Sequence, residues 1–113
     1  YFNGGGALYD CAGPRVRRAQ AAALEAIKKS GALLEVNTGG MARGYVDEPY
    51  PAREILRLWR EMGGEVVLGS DCHDRALLNY GFDAMVALLR EEGFAGVYEM
   101  GGVGEPVFVK RRL

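Results

Sequence analysis

The sequence has 113 residues, of which 49% are hydrophobic and 26% are charged, and these are ordinary values for a globular domain with one modest core. The formal net charge of −1 provides no long-range attraction to nucleic acid or to an anionic membrane surface, and no apolar stretch approaches the ~18 residues of a membrane span. Cys11 and Cys72 lie far apart without CxxC spacing, which argues against a disulfide scaffold or a structural zinc site. We therefore expect a cytoplasmic protein with no nucleic-acid or membrane partner.

The N-terminal part of the chain predicts one helix after an irregular start. The chain begins with Tyr1 instead of Met, and no helix or strand leads into the glycine-rich segment that follows, so we expect a piece of a longer or processed protein. A helix is predicted from Pro14, whose missing N–H costs nothing at the first helical position, up to Gly31. Apolar side chains recur along it at steps of three and four, which predicts one face packed on a sheet.

The stretch 32–37 is mostly apolar and predicts a parallel strand with a polar end. Glu35 and Asn37 stand two residues apart, so they share one face of this strand at its carboxyl edge. Two interpretations remain open. Both residues belong to a binding site, or Glu35 makes a hydrogen bond within the sheet and Asn37 only starts the turn.

The segment 38–45 after that strand predicts a long glycine-rich loop, which is a favourable place for binding residues on a rigid support. Arg43 is its candidate binding residue, because a planar and permanently charged guanidinium suits a phosphate or another oxyanion. The nearby glycines let backbone N–H groups approach such an anion. An isolated loop arginine is also commonly a surface charge, and the pattern alone leaves that alternative open.

Two further helices and two further strands complete an alternation of strand and helix. A helix over 52–62 carries a stripe of apolar side chains that predicts a core-facing surface. Its members are Ile55, Leu56, Trp59 and Met62. Another helix is predicted from Phe82 and ends at Gly93, with short strands at 94–100 and 107–109. The alternation predicts an α/β fold with parallel strands and helices outside, in which Pro106 makes the last strand an edge or terminal element.

The most informative stretch is the apolar run 66–68, which breaks abruptly into Ser70, Asp71, Cys72 and His73. On an extended backbone, Asp71 and His73 project to one side and Cys72 to the other. A carboxylate oxygen beside an imidazole nitrogen suits zinc, manganese or iron. The alternative is structural, since Asp and Ser after a strand commonly cap a helix or shape a turn, and a lone histidine is often a hydrogen-bonded structural residue.

Several of these segments together resemble one known family. They are Leu-Glu-Val-Asn-Thr-Gly-Gly-Met-Ala-Arg-Gly at 34–44, Pro-Tyr-Pro at 49–51, Gly-Ser-Asp-Cys-His at 69–73 and Gly-Phe at 93–94. In order and spacing across 33–94 they resemble the C-terminal part of a PHP-domain histidinol-phosphatase. The resemblance implies a distorted TIM-like barrel of about seven β/α units with a metal cluster at the strand ends. Residues 1–113 would then be a single domain that forms the C-terminal part of the phosphoesterase domain.

The same resemblance implies roles for individual residues. Asp71 and His73 would be catalytic metal ligands, and Arg43 would bind the phosphate. Asn37 would contact the substrate, with Glu35 and Ser70 supporting the site from behind. A catalytic zinc usually takes about three protein ligands, and His73 is the only histidine of the chain, so the Zn, Mn or Fe cluster would be completed by residues absent from it.

The implied activity is metal-dependent hydrolysis of a small phosphorylated metabolite. For the resembled family this is L-histidinol phosphate, cleaved to L-histidinol and phosphate in histidine biosynthesis, with the site incomplete in this chain. Two alternatives remain. The chain is a non-catalytic interaction or structural fragment, or it is a PHP phosphoesterase for another phosphomonoester. Open sheet edges predict association with the remainder of the barrel or with a second copy, through 107–109 or 33–36.

Overall fold

The computed structural model describes residue 8 and residues 10–113. Its helices are α1 (Pro14–Ser30), α2 (Gly39–Ala42), α3 (Arg53–Glu61) and α4 (Phe82–Glu91), and its strands are β1 (Leu34–Asn37), β2 (Val66–Gly69), β3 (Gly96–Met100) and β4 (Phe108–Arg112). The chain falls into two compact units, one ending at Gly31 and the other comprising Ala32–Leu113. None of the described helices is long and apolar enough to cross a membrane.

The first unit contains α1, and the predicted bounds of this helix are confirmed. Pro14 occupies its first turn. At the other end, Gly31 adopts the left-handed conformation with φ 73°, and its N–H donates to the carbonyl of Lys28. Lys28 and Lys29 in the last turn complement the negative end of the helix dipole. Local signals in the sequence were therefore sufficient to fix this helix.

The second unit is built on a four-stranded sheet in the order β1-β2-β3-β4. β1, β2 and β3 are parallel, in register at Glu35↔Val67 and Val67↔Tyr98. The expectation that all strands are parallel is wrong for β4, which pairs antiparallel with β3. Only a short turn joins these two strands, and a parallel pair would need a crossover of a dozen or more residues. The described residues form a mixed, mostly parallel α/β sheet with β4 at one edge, as predicted for the last strand.

The core of this unit lies where α3 packs its apolar stripe. Leu56 and Trp59 are completely buried, as are Val36 of β1 and Val66 of β2. The Trp59 ring lies against the turn after α3, where its Nε1–H donates to the carbonyl of Glu65 at 2.9 Å. The prediction that Trp59 is a core residue is confirmed.

An ion-pair cluster holds α3 to the end of α4. The Glu92 carboxylate, only 5% exposed, accepts hydrogen bonds from Arg57 Nε at 2.9 Å and from Arg53. These bonds, with that from Arg57 first, lower the pKa of Glu92 to about 2. The charged form of this carboxylate is therefore favoured in the folded chain.

The segment after β1, predicted as a loop, instead contains α2. The segment that contains Tyr50 runs back beside the end of β1 and lies against this short helix. Tyr50 and Asn37 pair through N–H to carbonyl bonds of 2.7 and 2.9 Å. A Cβ atom added at Gly40 would lie 2.6 Å from the Tyr50 ring. Glycine at this position thus permits the aromatic ring to pack directly on the backbone of α2.

Candidate functional site

The carboxyl ends of β1 and β2 lie side by side, because the two strands are parallel and Asn37 is in register with Gly69. A hydrogen bond also joins the chain directly after β1 to the end of β2, because the Thr38 N–H donates to the carbonyl of Gly69 at 2.9 Å. Residues 38–44 and 70–77 therefore form one surface at this edge of the sheet, where α/β proteins commonly place their functional groups.

Both polar atoms of the Asn37 side chain form hydrogen bonds within the protein. Its Oδ1 accepts a hydrogen bond from the Gly39 N–H at 2.8 Å, and its Nδ2 donates to Glu35 Oε1 at 3.1 Å. The Glu35 side chain lies across the neighbouring strand, because a Cβ atom at Gly69 would be 1.9 Å from Glu35 Oε1. The pair predicted from the two-residue spacing does share one face, and its polar atoms bind the start of α2 and each other.

The segment after β2 departs from the extended backbone that the sequence argument assumed. β2 ends at Gly69, and Asp71 has φ 44°, in the left-handed region that Asp tolerates better than most residues. The alternation of side chains along a strand therefore does not apply to residues 71–73. Cys72, predicted to point away, lines the same cavity as His73. Its Sγ donates to the Asp74 carbonyl at 2.5 Å.

The turned backbone at Asp71 brings three groups together. The Asp71 carbonyl lies 3.0 Å from His73 Nδ1 and accepts a hydrogen bond from Arg43 Nη1 at 3.3 Å. When His73 Nδ1 carries the proton of that bond, its Nε2 keeps a free lone pair. Arg43 Nη2 also lies 3.6 Å from Asp71 Oδ2, so the predicted phosphate-binding arginine and the predicted metal-binding carboxylate form an ion pair.

Arg43 occupies the end of α2 and is only partly covered. Its side chain is 39% exposed, and that of Asp71 is 60% exposed. The guanidinium also lies 5.9 Å from the centroid of the Tyr45 ring, within the range of a cation–π contact. Sequence reasoning missed Tyr45, although an aromatic residue two positions beyond a candidate binding arginine was a usable signal.

A cavity of about 250 Å³ opens beside this cluster. Arg43 and His73 line it together with Cys72, Asp74 and the apolar Leu77. Ser70 also borders the cavity, and its hydroxyl donates to the carbonyl of Leu78 at 2.8 Å. This bond ties the start of the segment after β2 to Leu78, and the supporting role of Ser70 stays a prediction.

The donors present suit two positions of a divalent-metal centre. One carboxylate and one imidazole nitrogen with a free lone pair are ordinary ligands of zinc, manganese and iron. A histidine whose other ring nitrogen bonds a backbone carbonyl is also the usual arrangement of a metal ligand. Among residues 8 and 10–113, no group of three or more His, Cys, Asp or Glu side chains is placed to hold a metal ion. The ligand roles of Asp71 and His73 therefore stay predictions.

Thr38 is a further residue that sequence reasoning did not single out. It is completely buried directly after β1, and its Oγ1 has no hydrogen-bond partner among the described residues. A polar residue at a strand end was the available signal, but its burial involves a distant part of the chain, since a Cβ atom added at Gly81 would lie 3.7 Å from Thr38 Cγ2.

Comparison with known proteins gives one partial likeness. No protein-family model matches the chain. Over 71 residues the chain is 37% identical to a protein of Deinococcus radiodurans named "Probable histidinol-phosphatase". The matched region is 63% of this chain and 27% of that relative, so the chain spans about a quarter of the length of the protein it matches. The likeness is a partial link to histidinol-phosphatases and a hint of a hydrolase.

Proposed function

We propose that the chain carries part of the active site of a divalent-metal-dependent phosphomonoesterase whose substrate is L-histidinol phosphate. The observation that carries this proposal is the meeting of Arg43 with Asp71, beside His73, at the carboxyl ends of two parallel strands. The partial likeness to a probable histidinol-phosphatase supports the choice of reaction. The products would be L-histidinol and phosphate, as a step of histidine biosynthesis.

In this proposal Arg43 binds the phosphate. Its planar fork can donate two parallel hydrogen bonds to phosphoryl oxygens and balance the charge that gathers on them. The cavity of about 250 Å³ beside it has room for a small organic phosphate, with Leu77 on an apolar wall. Asn37 contributes by fixing the start of α2, at whose end Arg43 lies.

Asp71 and His73 would hold the metal ion, His73 through Nε2 and Asp71 through its carboxylate. Bound there, a divalent metal polarises phosphoryl oxygens and lowers the pKa of a coordinated water. The backbone bond to His73 Nδ1 fixes the ring orientation, which is the contribution of this chain to the geometry of that centre. Since a catalytic zinc usually takes about three protein ligands, further donors would come from outside the described residues.

For the fold we propose the last β/α units of a TIM-like barrel. In support, β1, β2 and β3 are parallel, α3 lies between the first two along the chain and α4 between the next two. β4 leaves exposed apolar side chains beside the edge of the sheet, at Val107 and Phe108. The remainder of a barrel, or a second copy of the chain, would cover them. Light scattering on the purified chain tests this, and a monomer at high dilution that melts sharply would contradict it.

The test of the activity is a panel of phosphomonoesters with Mn²⁺ or Zn²⁺, applied to this chain and to the longest product of its reading frame. We expect the longer product to hydrolyse L-histidinol phosphate in preference to nucleotides and sugar phosphates, and to lose this activity in His73→Ala. Hydrolysis of another ester alone would move the proposal to that substrate class. Absence of any hydrolysis in the longer product would favour a structural or interaction role.

A further inference from the structure

We propose that Arg43 and Asp71 form a latch that couples phosphate binding to metal binding. The two side chains form an ion pair, which opens when phosphate binds Arg43 or a divalent cation binds Asp71. This inference rests on the proposed function, because it assumes that Arg43 meets a phosphate and that Asp71 meets a divalent cation. It adds that the two ligands favour each other through this pair.

The latch joins segments that follow different strands. Arg43 ends α2 after β1, whereas Asp71 follows β2, and the residues are 28 apart in sequence. Arg43 Nη1 donates to the Asp71 carbonyl at 3.3 Å, and Nη2 lies 3.6 Å from Oδ2. Both side chains are more than a third exposed, so the ion pair is weak and a ligand can open it.

The conformation of Asp71 directs these contacts. With φ 44°, its backbone is turned so that one carbonyl lies near both Arg43 Nη1 and His73 Nδ1. The same residue therefore contacts both the phosphate-binding group and the second metal-binding group. A ligand on Asp71 therefore changes the contacts of Arg43 directly, because the two residues touch each other.

The coupling follows from charge. A phosphate that takes the guanidinium of Arg43 removes a cation from the Asp71 carboxylate, which is then free to bind Mn²⁺. A divalent cation on that carboxylate repels the guanidinium, which is then free for phosphate. Linkage requires that the two effects be equal in size, since each ligand changes the affinity of the other by the same factor.

The first experiment removes the carboxylate charge in the absence of metal. Asp71→Asn keeps a side chain that tolerates the left-handed backbone, and it ends the ion pair. Asp74→Asn is the matched control, because it removes one negative charge from the cavity that Arg43 lines and retains the oxygen that accepts from the Ala76 N–H. Inorganic phosphate is titrated in the presence of EDTA, with calorimetric detection. We expect Asp71→Asn to bind phosphate about two- to fivefold more tightly than the wild type, the range of an exposed ion pair.

The second experiment opens the latch from the other side. Arg43→Ala should raise the affinity for Mn²⁺ by a similar factor without phosphate present. Arg75→Ala removes a positive charge from the short 3₁₀ helix Arg75–Leu77, of which Leu77 lines the cavity, and we expect a smaller change. A gain in phosphate affinity in Asp74→Asn equal to that in Asp71→Asn would overturn the latch and leave the proposed function standing. If neither the wild type nor Asp71→Asn bound phosphate, both proposals would be refuted.

Discussion

Replacing Asn37 with alanine tests whether this residue positions the site or binds the substrate. The change removes the oxygen that accepts from the Gly39 N–H and the amide that donates to Glu35. Gly39 is buried, so its N–H would be left without that partner. A stranded donor of this kind costs about 1–3 kcal/mol, and with partial relief by water we expect about 1–2 kcal/mol. For a domain of this size that lowers Tm by roughly 4–8 °C per kcal/mol.

The assay is thermal unfolding of Asn37→Ala beside a phosphate titration. Glu35→Gln is the matched control, because its amide oxygen still accepts from Asn37 Nδ2, and we expect a stability change within about 0.5 kcal/mol. Phosphate affinity should fall only partly in Asn37→Ala, because the change loosens the start of α2 and leaves the Arg43 side chain in place. An unchanged Tm would show that the bond from the Gly39 N–H to Asn37 does not stabilise the fold. A wild-type Tm combined with complete loss of phosphate binding would show that Asn37 contacts the anion directly.

Three further predictions concern the core, the ion-pair cluster and the metal. Leu56→Ala should cost about 3–5 kcal/mol in chemical denaturation, since its side chain is fully buried, whereas Leu78→Ala, at an exposed position, should change little. The pKa of Glu92 is lowered from its ordinary value of 4.5 to about 2, so the ionised carboxylate adds its full contribution to the free energy of unfolding above pH 4.5. This contribution is lost as the pH falls from 4.5 through 2. The free energy of unfolding of Glu92→Gln should therefore decrease less steeply over this pH range than that of the wild type. Calorimetry should show weak Zn²⁺ or Mn²⁺ binding that disappears in His73→Ala, and tight binding that persists in this variant would remove His73 from the centre.

Local signals predicted the elements whose ends are marked in the sequence. Pro14 and Gly31 delimit α1, and the apolar runs before Asn37 and Gly69 predict β1 and β2. The antiparallel β4 could have been anticipated, because the turn before it is too short for a crossover. α2 could not, since two glycines disfavour a helix, and the contacts on it from the Tyr50 ring and the Asn37 side chain are not visible in a local pattern.

Sequence patterns singled out the residues of the candidate site, whose roles stay predictions, but not the contacts among them. Polar residues after two parallel strands indicated the edge of the sheet and picked out Arg43, Asp71 and His73. Strand alternation then failed to describe Asp71, because β2 ends before it and its backbone adopts φ 44°. The turned carbonyl of Asp71 accepts a hydrogen bond from Arg43, which is 28 residues away in sequence, and no local pattern records such a contact.

We expect phosphate to bind beside Arg43 at the carboxyl ends of β1 and β2. The most direct measurement is a titration of the ¹⁵N-labelled chain with inorganic phosphate, followed by two-dimensional amide NMR. We expect shifts concentrated in residues 37–44 and 70–77, and we expect them to vanish in Arg43→Ala. Shifts confined to the basic residues 110–112 of β4, or shifts that persist unchanged in Arg43→Ala, would contradict it.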